Sequence, residues 1–200
     1  MRKRVLLACF VVFTAGSLFA RQKNPTIYTI PLPPKPDFSS LQWLVGNWSG
    51  KTAEKKAAGD VHLSVAYALQ HRFLEIKGDV SLPATKTAPA THEAWVGMLS
   101  QGPAPGTFAL RLFTSTGFMT RYQVTVTGSQ VLFNPQGGPL PPQGWLFRWT
   151  FAQVGPDVCT ERVDVAPPEK SFFNYYSAKL SRNPAAKSDG SAPTSASAAQ

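Results

Sequence analysis

The feature that most restricts the fold is the stretch "GWLFRWTFAQ", residues 144 to 153. Trp145, Phe147, Trp149 and Phe151 share one face of it, and Arg148 and Thr150 share the other. Successive side chains of an extended strand point to opposite sides, so a period of two with one aromatic face describes a half-buried strand. Runs of this kind recur near 45–53, 61–69, 72–80, 91–99, 107–114, 118–127, 129–134, 144–153, 157–165 and 171–181. In the sixth, "FMTRYQVTVTG", Tyr122, Val124 and Val126 oppose Arg121, Gln123 and Thr125. Turn residues separate the runs: Gln70-His71, Thr127-Gly128-Ser129 and Gly155-Pro156-Asp157; such short breaks make hairpins, whose strands pair antiparallel. No long helical period interrupts them; Phe38 to Leu44 is compatible with one short helical turn. Ten short strands at close spacing predict an all-β barrel or sandwich.

Two longer breaks are rich in proline, "PATKTAPA" (83–90) and "NPQGGPLPPQG" (134–144). Neither is expected to be strand, and each either covers a barrel mouth or merely connects. The chain opens on Met1-Arg2-Lys3-Arg4 and an apolar run from Val5 to Phe19, the pattern of a secretory signal peptide over residues 1–20, cleaved after Ser17 or after Ala20. Leu6-Leu7-Ala8-Cys9 loosely matches a lipoprotein box but follows too short an apolar run. Residues 21–37 form a proline-rich leader and 38–182 the folded barrel. Residues 183–200 are small and polar and are expected to be a disordered tail. The expected location is secreted or periplasmic, with contact to membrane only through the signal peptide.

Charge excludes one class of partner. The net charge of +9 falls largely on the first 37 residues and the stretch from 181 onward, leaving 12 basic against 9 acidic residues between them. These are interspersed, whereas a nucleic-acid binder concentrates basic charge on one face. Once Cys9 leaves with the signal, Cys159 stands alone and no internal disulfide can form.

The first strand carries the most specific motif. In "SLQWLVGNWSG", residues 40 to 50, Gly46 and Gly50 flank Trp48. Glycine permits a bend or bulge, and the large ring beside it can close a barrel floor. This Gly-x-Trp after an apolar turn resembles the opening of the calycins, which include lipocalins, fatty-acid-binding proteins and nitrobindins. It is most similar to secreted bacterial lipocalin-like barrels of unknown function. The resemblance implies an antiparallel up-and-down barrel of about ten strands. It also implies a basic residue from the last strand over the floor tryptophan, for which Lys179 and Arg182 are the candidates.

The family's ligand chemistry does not carry over. Nitrobindins hold haem through a late histidine, but His62, His71 and His92 all fall in the first half, so no haem and no other cofactor is expected. Their spacing does not suit a metal either, and Cys159 reads as a small core residue. The Arg-x-Tyr carboxylate reader of fatty-acid-binding proteins is absent, which leaves a single interior arginine, Arg111 or Arg121. There is no G-x-S-x-G elbow. Glu75 alternates with Lys77 and Asp79 on an exposed face, while Glu161 shares a face with Cys159 and Val163 and could point inward toward an arginine. Asn47-Trp48-Ser49 matches a glycosylation sequon inside a strand, where acceptor sites are disfavoured.

The expected function is binding of a small apolar or amphipathic molecule, since a barrel of this size can enclose one ligand. The aromatic face with Trp145 and Trp149, and a second face with Phe172, Asn174 and Tyr176, would line the site, with Arg121 as a possible polar anchor. The alternative is a barrel filled by its own aromatics that acts through its surface; an unrecognised enzyme is the third reading.

Overall fold

The computed structural model describes residues 30–53, 58–104, 106–136 and 144–184. The expected signal peptide, the first part of the expected leader, residues 137–143 of the second proline-rich connection and the expected tail from 185 lie outside these residues. The chain divides into residues 1–33 and 34–200, and the second unit holds the barrel.

A 3-10 helix, Ser39–Leu44, leads into ten strands. They are β1 (Gly46–Thr52), β2 (Asp60–Ala68), β3 (Phe73–Leu82), β4 (Thr91–Gln101), β5 (Phe108–Thr114), β6 (Met119–Thr127), β7 (Gln130–Gln136), β8 (Leu146–Gly155), β9 (Val158–Ala166) and β10 (Phe173–Arg182). Each pairs antiparallel with its neighbours in sequence, and β1 pairs with β10 to close the sheet. The fold is thus the expected antiparallel up-and-down barrel, which leaves no free edge.

Three elements differ from the sequence reading in an instructive way. β7 runs through Pro135 to Gln136. Its ladder with β8 stops at Phe133↔Trp149, so Pro135 faces β6 alone and its missing N–H breaks no ladder with β8. β8 begins at Leu146, leaving Trp145 just ahead of the strand. β10 carries a bulge between Asn174 and Tyr176, which changes which side chains face inward.

The two glycines of the first strand are both required by the approach of β10. Gly46 has φ +137°, and a Cβ there would strike the Arg182 guanidinium; a Cβ at Gly50 would collide with the Lys179 carbonyl oxygen. Trp48, 1 % exposed, fills the closed end and donates its indole N–H to the Leu44 carbonyl at 2.9 Å. Arg182 lies over its ring, 4.1 Å from the centroid. The same guanidinium donates to the carbonyls of Val45 (2.5 Å) and Trp43 (2.7 Å) and pairs with Asp157 at 3.0 Å. Of the two basic candidates, only Arg182 belongs to the floor. Lys179 is exposed on the outer face opposite Lys51, because it lies one residue from the inward Ala178 and Leu180. Phe38, Leu41 and Leu44 pack under Trp48 and complete the closed end.

Candidate functional site

At the end of the barrel opposite Trp48, inward side chains of seven strands leave a cavity of about 430 Å³. Its floor is aromatic. Trp95 and Trp149 meet edge-on at 5.1 Å, and Tyr122 lies 6.2 Å from Trp149. The wall continues through Phe118, Phe147, Val163 and Val165. Trp145, Phe173 and Tyr175 form the rim and are 37, 51 and 44 % exposed. One layer deeper, Phe151 packs against Phe133 at 5.8 Å and the interior is filled. The aromatic strand β8 therefore answers to both expectations at once. Phe151 belongs to a packed core, while Trp149, Phe147 and the preceding Trp145 line a hollow above it.

One side of the hollow is polar. Glu93, at the start of β4, faces inward in the same phase as Trp95 and Leu99. Thr116, in the β5–β6 turn, donates to its Oε1 at 3.4 Å, and Thr114 and Thr116 share a hydrogen bond of 2.6 Å. That turn is fixed to β4 by Ser115, whose N–H donates to the Ala94 carbonyl (2.8 Å) and whose hydroxyl accepts from the Ala94 N–H (3.0 Å). Burial pushes the Glu93 carboxyl above its ordinary value, against the pull of the Thr116 bond. Burial also raises Tyr122, partly opposed by a hydrogen bond from Thr120, and the Glu93 charge adds to the rise. Tyr175 is raised by burial and then by Glu93.

Below the floor lies a second carboxyl. Glu161 points inward, 0 % exposed. Its partner is not an arginine but the Tyr176 hydroxyl, which donates to Oε1 at 3.1 Å; Oε2 has no partner among the described residues. Burial raises its pKa to about 7, with the Tyr176 bond pulling the other way. Neighbouring Cys159 is raised to about 12 by burial and then by Glu161, with Arg182 opposing, so its thiol is an inert core group.

Of the ligand-binding candidates, the structure brings Trp145, Trp149 and Tyr176 to the cavity and excludes two. Arg121 is exposed on the outer face of β6, directly across from Arg111 on β5; both lie out of phase with the inward Tyr122 and Leu110. No arginine therefore enters the cavity from these strands. Asn174 is exposed at the bulge, where its side-chain amide donates to the Tyr176 carbonyl (3.0 Å) and the Val163 carbonyl (3.3 Å). Phe172 also lies outside, under Arg148 at 4.3 Å. Arg148 and Arg162 both bind Asp164, at 2.9 and 2.7 Å. Because the bulge shifts the phase of β10, Phe173, Tyr175 and Tyr176 line the cavity in place of the expected Phe172, Asn174 and Tyr176. Sequence reasoning missed Glu93, Trp95 and the threonines. Extending the period of two back from Leu99 through Trp95 would have found Glu93. All three histidines are exposed.

No protein-family profile matches the chain, and no curated protein does. Solved structures do. The crystal structure of Rv2717c from M. tuberculosis is similar with a TM-score of 0.53 at 17 % identity, over 76 % of this chain and 100 % of that one. The S-type phycobiliprotein lyase CPES from Guillardia theta aligns with a TM-score of 0.42 at 8 % identity, over 74 % of this chain and 93 % of that one. At such identity the likeness to Rv2717c is one of fold, and the fold is a lipocalin-like barrel.

Proposed function

We propose that the protein binds a small apolar or amphipathic molecule in the open end of its barrel. The observation that carries this reading is a cavity of about 430 Å³ whose floor and rim are aromatic and whose carboxyl and threonine groups, Glu93, Thr114, Thr116 and Thr120, lie along β4 to β6. Ligand sites commonly measure about 300–1,000 Å³, are mostly apolar, and use a few polar groups to fix orientation. Transfer of a ligand onto Trp95, Trp149 and Phe147 gains about 25 cal/mol for each Å² removed from water. Titration with an environment-sensitive apolar dye and a panel of lipids, followed by tryptophan fluorescence, tests the reading. Saturable binding that Trp149→Ala abolishes is the expected result. Absence of saturable binding by every apolar probe, with the protein folded, returns the barrel to a role played by its surface.

The proposal includes export. Arg2-Lys3-Arg4 and the apolar run to Phe19 support a cleaved signal. Protein recovered from an exporting cell should begin near Gly16 to Lys23, and a start at Met1 in exported material refutes this.

A further inference from the structure

The cavity wall differs in sign from the chain around it. Between residues 38 and 180 the chain carries 12 basic against 9 acidic residues, yet no lysine, arginine or histidine stands among the described residues of the wall. Among those described residues its one carboxylate is Glu93. The other acidic side chains on β2, β3 and β9 are met by bases: Asp60 by Lys51, Glu75 by Lys77, Asp79 by His62, and Asp164 by Arg148 and Arg162. The exception on those strands is the fully enclosed Glu161, which takes the Tyr176 hydroxyl instead. Glu93 has no ion pair among the described residues and only the long hydrogen bond from Thr116. A half-buried carboxylate without a cation is costly to keep charged, and a counter-ion entering from outside relieves that cost.

The surroundings suit a cation better than a neutral donor. Trp95, Tyr122, Trp149 and Phe118 place ring systems around the same space. The faces of aromatic rings carry negative charge density and attract ammonium groups, most strongly where water is excluded. The Glu93 charge is felt across the hollow, since it contributes to raising Tyr122, Tyr175 and Tyr176 on the opposite elements. An anionic head group would meet the same carboxylate as a repulsion.

We propose that Glu93 and these rings make the cavity selective for a ligand whose apolar body ends in a protonated amine or a quaternary ammonium group. The inference rests on the binding reading above and names its ligand class. Three probes that share one chain separate the two: octyltrimethylammonium, 1-octanol and octanoate, each titrated below its aggregation concentration and followed by tryptophan fluorescence. The wild-type protein should bind the ammonium about ten-fold more tightly than the alcohol, and octanoate most weakly. In Glu93→Gln the ammonium should lose that advantage over the alcohol measured in the same variant. Arg121→Ala, on the outer face, should leave the order of the three unchanged. Equal affinities in the wild type, or an ammonium preference that survives Glu93→Gln, overturn the role of Glu93 while the cavity reading stands. Failure of all three probes to bind folded protein overturns both.

Discussion

A carboxyl group with no access to water has to be neutral, paired or expensive, and Glu161 takes the first course. Its one bond, from the Tyr176 hydroxyl, does not repay the loss of hydration on ionising, so burial lifts its pKa to about 7 from an ordinary 4.5. The sign of the stability effect follows. Between those two values the folded chain holds a proton that the unfolded chain has released. Stability is therefore fully present below 4.5 and is lost as pH rises toward 7. The loss from this one group is about 3 kcal/mol. Asp164 acts at the other end of the scale. Burial pushes it up, but hydrogen bonds from Arg162 and Arg148 outweigh this and hold it below its ordinary value, so its contribution disappears only in acid. Chemical denaturation at a series of pH values should show stability falling between about pH 5 and pH 7. Glu161→Gln should flatten that slope. A slope unchanged by the substitution would show that another group releases the proton.

Elements read well from the sequence where alternation is unbroken and badly where a single residue is inserted. All ten strands were legible because each holds its apolar face for several residues between turn signals. On β8, Phe147, Trp149 and Phe151 stay in phase from wall to core, and the assignment of that face was sound. The bulge in β10 is invisible in a pattern of "FFNYY", since aromatic residues on both sides of the strand leave no polar face to mark the phase. Every inference upstream of it was therefore inverted: Asn174 and Phe172 went to the outside, and Phe173 and Tyr175 to the rim. Glu93 was hidden for a different reason. A charged residue at a strand end reads as exposed on composition alone, and only the chain's closure into a tube encloses that position. Arg121 was misplaced because an interior anchor was sought without holding it to the phase of Tyr122. Arg182 was legible as a candidate only through the resemblance of "GNWSG" to calycin first strands; its four partners required the fold.

Across the whole molecule, stability and capacity are placed at opposite ends. An up-and-down barrel is a linear series of hairpins until its first and last strands meet, and that meeting is the strand ladder that joins its two ends. Here it is a ladder from Trp48↔Arg182 to Thr52↔Ala178. The Trp48 ring, the 3-10 helix beneath it and the Arg182 guanidinium lock one end of that ladder, while the cavity opens at the other. Removing Trp48 leaves a large void at the lock and strips Arg182 of the ring it covers. Trp48→Ala should cost about 3 to 5 kcal/mol, the range for large aromatic deletions from cores. The cost should appear as a lower urea midpoint with little change in slope, since the folded barrel keeps its shape. Under conditions where the variant is still folded, its affinity for an apolar probe should match the wild type, because the ring contacts that build the cavity floor run among Trp95, Tyr122 and Trp149. An unchanged midpoint would show that the hairpin series holds without its lock. A lost affinity in folded Trp48→Ala would show instead that the closed end transmits its packing to the mouth.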